Sequence, residues 1–244
     1  MGYYTVKVKP TIVASIQNAA AFASGEVLFD WTGFEIPKGS GKLVSATAVI
    51  KPKGDAAPTQ NAFAFNLLFA SNNDISLGTA GAAAVRRPNP NVTGMIEFPA
   101  TSFGPTSMRS TAIASSSHST VGGHAPLVIA PDAGESATQG YNKVYIGCVA
   151  SGAFDFTSIN AVNEASFDAG AQTVITMDGT GMDVREHFAP GDVLHAQDDA
   201  VLGTVKTADS ATQITLTAAN TEAIAENDII FDINPITLVL GFED

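Results

Sequence analysis

The tail constrains this chain most. After Asn234-Pro235 comes ITLVLGFED, an apolar run that needs a sheet to join. It follows a segment that already reads as complete. TVITM (173–177), GDVLHA (191–196), LGTVKTA (202–208), TQITLTA (212–218) and DIIFDI (228–233) are short strands separated by the turns DGTG, QDDA and TADS. Strands this short and this closely spaced are the signature of a small barrel of SH3-like or OB-like type. One helical turn is expected over 220–225, before its last strand. The proline breaks the path out of the barrel, so 236–244 is expected to return to another sheet, beside NKVYIGCVAS (142–151). The barrel is then an insertion on a two-stranded stem, with adjacent ends.

The host of that insertion is also read as β-structure. Tyr4–Lys9 and Leu43–Lys51 alternate polar and apolar residues, as half-buried strands do. VLFDWTGFEI (27–36), AFAFNLLFA (62–70), GMIEFPA (94–100) and APLVIAP (125–131) add further strands. By the period-two rule Phe63, Phe65, Leu67 and Phe69 share one face, and that face is expected at the centre of the core. Trp31, Ile146, Leu238 and Leu240 complete the expected core. The fold class expected is all-β: an antiparallel, jelly-roll-like β-sandwich over 1–164 plus 234–244, carrying a small SH3/OB-like β-barrel over 165–233. Residues 71–92 and 101–125 are long polar sections, the kind that serve function or an interface.

Charge divides along the same boundary. The chain has a net charge of −12. Residues 165–233 hold twelve acids against two bases, Arg185 and Lys206, while the rest carries twelve acids against ten bases. This balance argues against binding a phosphate backbone, so no nucleic-acid partner is expected. The opening MGYYTVKVKP lacks an apolar leader core, no run of 18 apolar residues occurs, and position 6 is Val where a myristoylation pattern needs Ser or Thr. Neither export nor a membrane partner is expected, which leaves the Asn91-Val92-Thr93 sequon without a role. The single cysteine, Cys148, lies in an apolar strand and reads as a small buried residue.

No stretch carries an established catalytic pattern. There is no G-x-S-x-G elbow, Walker loop, G-x-G-x-x-G after a strand or H-E-x-x-H. His195 with Asp198 and Asp199 reads as a solvated hairpin turn, because adjacent aspartates point apart and a second histidine is missing. MDGTGMD (177–183) lacks the alternating acids of a calcium loop. SSSHST (115–120) has serines beside a histidine but no strained turn to expose one. No enzyme activity, cofactor or metal is expected. Arg86 and Arg87, with Lys51 and Lys53, read as a small basic patch, in which the neighbouring prolines make Arg86 and Arg87 loop-borne docking residues for an acidic surface.

The order GKLVSATAVIKPKG, AFAFNLLFAS, GMIEFPA, PLVIAP, NKVYIGCVASG and a closing ITLVLGFED resembles tailed-bacteriophage virion structural proteins of the capsid decoration (cement) type. Residues 188–231 similarly resemble the small barrel modules of phage structural proteins. The resemblance implies a protein on the outer capsid surface of a virion, made in the host cytoplasm. Its implied partners are the major capsid protein and itself, as a homotrimer or homodimer. The acidic barrel would face solvent. Lys7, Lys9, Arg86, Arg87, Arg109, His118 and His124 are the candidate shell or subunit contacts. A tail-tube, baseplate or fibre component is the nearest alternative. A carbohydrate-binding sandwich, with Trp31 and Tyr3, Tyr4, Tyr141 and Tyr145 as stacking platform, is a further one.

Overall fold

A computed structural model of the protein describes residues 2–19, 21–36, 40–52, 62–85, 88–103, 111–116, 127–130, 142–156, 161–162, 164–177 and 183–243. The fold is all-β: an antiparallel sandwich joined to a smaller antiparallel sheet domain. The sandwich strands are β1 (Tyr3–Val8), β2 (Val27–Glu35), β3 (Gly41–Ile50), β4 (Phe65–Ala70), β5 (Val92–Phe98), β6 (Ala112–Ser116), β7 (Leu127–Ile129), β8 (Lys143–Ala150) and β15 (Ile236–Glu243). One sheet runs β1-β15-β3-β6, with β7 also on β3; the other runs β2-β8-β4-β5. The six-stranded third sheet is built from β9 (Ala161–Val162), β10 (Val174–Thr176), β11 (Val193–Ala196), β12 (Val201–Ala208), β13 (Gln213–Leu216) and β14 (Ile229–Asp232). Pairing of β9 with the end of β14 brings the two crossings of the chain together.

Alternation explains the sandwich. In β15 the odd-even pattern buries Ile236, Leu238, Leu240 and Phe242 and leaves Thr237, Val239 and Glu243 half-covered. Those apolar residues meet Phe65, Leu67, Phe69, Ile146 and Cys148 of the opposite sheet in one cluster. Phe22, Phe63, Phe154 and Phe156 extend it, with the Phe63 and Phe154 rings stacked 3.7 Å apart. The smaller domain has a separate cluster that includes Ile175, Val184, Phe188, Leu194, Leu202 and Ile214.

Four expectations need correction. First, β15 does not lie beside NKVYIGCVAS. It fills the place between β1 and β3, pairing Val8↔Leu238 on one side and Ala48↔Leu238 on the other. Both neighbours of β8 are β2 and β4, so no edge is left for the tail. Second, no helical turn forms over 220–225. Asn220 is buried there as the hub of a loop: its Nδ2 donates to the carbonyls of Asp168 (2.9 Å) and Glu222 (2.7 Å), and its Oδ1 accepts from the Gln172 amide. The short helix of this domain is instead α2 (Val184–His187), capped by Asp183, whose carboxylate accepts from the Arg185 amide. Third, β6 and β9 form within stretches read from sequence as loop and link. Fourth, Trp31 is half-buried and outside the core cluster. Its indole donates to the Ile75 carbonyl at 2.7 Å.

Candidate functional site: the charge cluster between the domains

The register of the sandwich sets the site. Ile50 pairs with Ile236, so the next residue, Lys51, lies against the stem, and its amide donates to the Pro235 carbonyl. Asp232 closes β14 just before that stem. Asp192 precedes β11, in a turn where Gly191 takes φ +92°. These placements bring Lys51 onto both carboxylates, which are almost wholly buried, while Lys51 itself is 20% exposed. Lys9, just after β1, places its ammonium 3.8 Å from Asp192.

Each carboxylate has a second anchor. Asp192 accepts from the Ala189 amide at 2.7 Å, and Asp232 accepts from the Asn234 amide at 2.9 Å. The cluster thus combines two lysines of the sandwich with two aspartates of the inserted domain, formally neutral as a set. Phe188 lies 5.7 Å below the Lys51 ammonium. Burying ions is costly unless geometry and further hydrogen bonds offset the lost hydration, and here the Ala189 and Asn234 amides supply such a bond to one oxygen of each carboxylate.

His187 completes the junction from α2. Only 5% of it is exposed, and its Nδ1 is buried without a hydrogen-bond partner. Burial first, and then the charge of Lys51, lower its pKa to about 3, although a hydrogen bond to the Pro52 carbonyl pulls the other way. The ring is therefore neutral at pH 7.

Uncharged bonds extend the contact. Gln17, in the short helix α1 (Ala14–Gln17), donates to the carbonyls of Ile12 (2.6 Å) and Asp232 (2.8 Å). The Ile12 amide donates to Ile233, and the Asn234 side chain donates to the Pro10 carbonyl at 3.0 Å. Further out, the β11–β12 turn reaches the sandwich through Asp199, whose carboxylate accepts from both the amide and the hydroxyl of Ser15, at 2.7 and 2.5 Å.

The sequence-derived candidates fall out unevenly. Lys7 is exposed on β1, whereas Lys9 faces the junction. Arg86, Arg87, Arg109, His118 and His124 lie outside the described residues. Phe63, Phe65, Leu67, Phe69, Ile146, Leu238 and Leu240 are all buried in the sandwich cluster. The QDDA turn is a hairpin turn in which Asp198 accepts from the Ala200 amide and His195 Nδ1 donates to the Asp199 carbonyl. Asp199 was not foreseen as a docking residue. Its signal in sequence was only an acid at a tight turn. Lys51, which the sequence offers only as a member of a small basic patch, meets two carboxylates of the chain's own inserted domain.

Chemically the cluster is suited to holding rather than reacting, because each charged group is already engaged by an opposite charge. Among the described residues, no group of three or more His, Cys, Asp or Glu is placed to hold a metal ion, and no helix is long and apolar enough to cross a membrane.

No family model matches the chain, and no curated protein matches it. Among solved structures, a chain of the Sulfolobus Turreted Icosahedral Virus is similar at 12% identity over 98% of this chain and 90% of that one. Its TM-score is 0.15, and a likeness that slight carries no argument here.

Proposed function

We propose that this protein is a virion structural protein of the capsid decoration (cement) type. The sandwich seats on the outer shell, between copies of the major capsid protein, and the acidic domain is carried on the solvent side. One observation carries the reading. A module with twelve acids against two bases is held in a fixed pose by buried ion pairs and hydrogen bonds on a sandwich with nearly balanced charge. That is the construction of a mount and a displayed knob. Outward negative charge favours solubility and repels identical neighbours, as a part present in many copies on one particle requires. The resemblance of the strand order to phage structural proteins points the same way.

Co-sedimentation of the purified protein with mature shells lacking it, with unassembled capsid protein as control, tests the proposal. Saturable binding to shells alone is the expected result, and the plateau gives copies per particle. Recovery with tails instead, or with a glycan matrix, would reject the cement role in favour of a tail part or a carbohydrate-binding module.

A further inference from the structure

The inserted domain meets the sandwich around a buried histidine whose Nδ1 has no hydrogen-bond partner. His187 donates its one ring hydrogen toward the Pro52 carbonyl, and its Nδ1 lone pair is shut away from water and from any donor. From the sandwich side, Lys51 at the end of β3 and Lys9 after β1 point into the same junction. From the inserted domain come Asp192 before β11 and Asp232 on β14, both held by Lys51. On α2 itself Arg185 is paired with Asp183 and Glu186 is its neighbour, and across on β11 His195 bonds the Asp199 carbonyl. The nearest charge acting on the ring is thus positive, and adding a second positive charge to this pocket is unfavourable while the domains are docked.

We propose that His187 makes the junction acid-sensitive: its ring takes up a proton only when the inserted domain lifts away from Pro52 and Lys51, so mild acid undocks that domain while both cores stay folded. The sign follows from the two states. Docked, the ring binds its proton at about pH 3, and an exposed imidazole binds it at 6.5. The docking contribution is fully present above pH 6.5 and weakens as pH falls below it, down to about pH 3. Between those limits one proton favours the open state by about tenfold per pH unit.

Native-state hydrogen exchange reads this directly. The amides of Ile12 and Ser15, bonded across the junction to Ile233 and Asp199, report undocking. Ala48 and Ile214, buried in the two separate cores, serve as references. With intrinsic rates corrected, protection at Ile12 and Ser15 is expected to fall about tenfold between pH 7.5 and 5.5, a range above ordinary carboxylate titration. Protection at the reference amides should stay well above that of Ile12 and Ser15 at every pH, because exchange there needs a core to unfold as well. His187→Leu should flatten the profile, and His195→Gln should leave it as in the wild type. A flat wild-type profile overturns the proposal, as does a slope that survives His187→Leu or core amides that exchange as readily as Ile12 and Ser15. Should His187→Leu prevent docking altogether, the wild-type ring resonance decides. A ring that protonates near pH 6.5 while Ile12 stays protected would equally overturn it.

Discussion

Lys51 is where a single side chain matters most. It is the shared counter-ion of two buried carboxylates, so Lys51→Met would leave Asp192 and Asp232 in a poorly hydrated pocket with only Lys9 nearby, at 3.8 Å from one of them. Removing one partner of a buried ionic set is expected to cost about 3 kcal/mol, mostly through the charges left behind. Lys9→Met should behave differently. Its side chain is 52% exposed and its contact is long, so a change within about 0.5 kcal/mol is expected. Urea titration of the two variants checks the contrast, and equal losses would mean that Lys51 is not the centre of the cluster.

At the scale of elements, the β11–β12 hairpin acts as a latch. Asp199 adopts φ +73°, a conformation Asp and Asn tolerate better than most residues, and from it reaches Ser15 with both carboxylate oxygens. Asp199→Ala should therefore lose both bonds and add backbone strain, for about 2 kcal/mol in thermal unfolding. Asp198→Ala, which loses a turn-closing bond to Ala200, should cost about 0.5 kcal/mol. The contrast between these neighbours also marks what the sequence could convey. Period-two alternation made β3, β4, β8 and β15 legible as strands, because one buried face imposes that pattern whatever the partner. It could not assign β15 to β3 rather than to β8, since both neighbours offer an apolar face and pairing is settled by which edge stays open. The charge division of the two domains was legible from counting alone. The junction was not, because Lys51 and Asp192 stand 141 positions apart and nothing local marks them as partners. Asn220 misled for a related reason. A short polar stretch read as a helical turn is held open by three hydrogen bonds through one amide side chain, two of them to residues distant in sequence.

At the scale of the molecule, the two domains have separate hydrophobic clusters, so their joint stability must pass through the junction. The smaller cluster belongs to a domain of a size that buries a modest share of its surface, so undocked it stays folded in buffer but yields to denaturant before the sandwich does. The junction therefore lends it stability, and the wild type should unfold as one unit. The only tryptophan, Trp31, lies on β2 of the sandwich and reports that domain by fluorescence, while far-UV circular dichroism reads strands of both. In the wild type the two signals should trace one denaturant transition. In the double variant Lys51→Met/Asp199→Ala they should part, with an early dichroism phase from the inserted domain that the fluorescence does not show. The two substitutions act on distinct contacts of one interface, so their combined cost falls on docking rather than on either core. If the curves remain superimposed in the double variant, coupling runs instead through the uncharged bonds of the junction, where Ile12 bonds Ile233 and Gln17 bonds Asp232, and the ion cluster sets the pose of the inserted domain without supplying its stability.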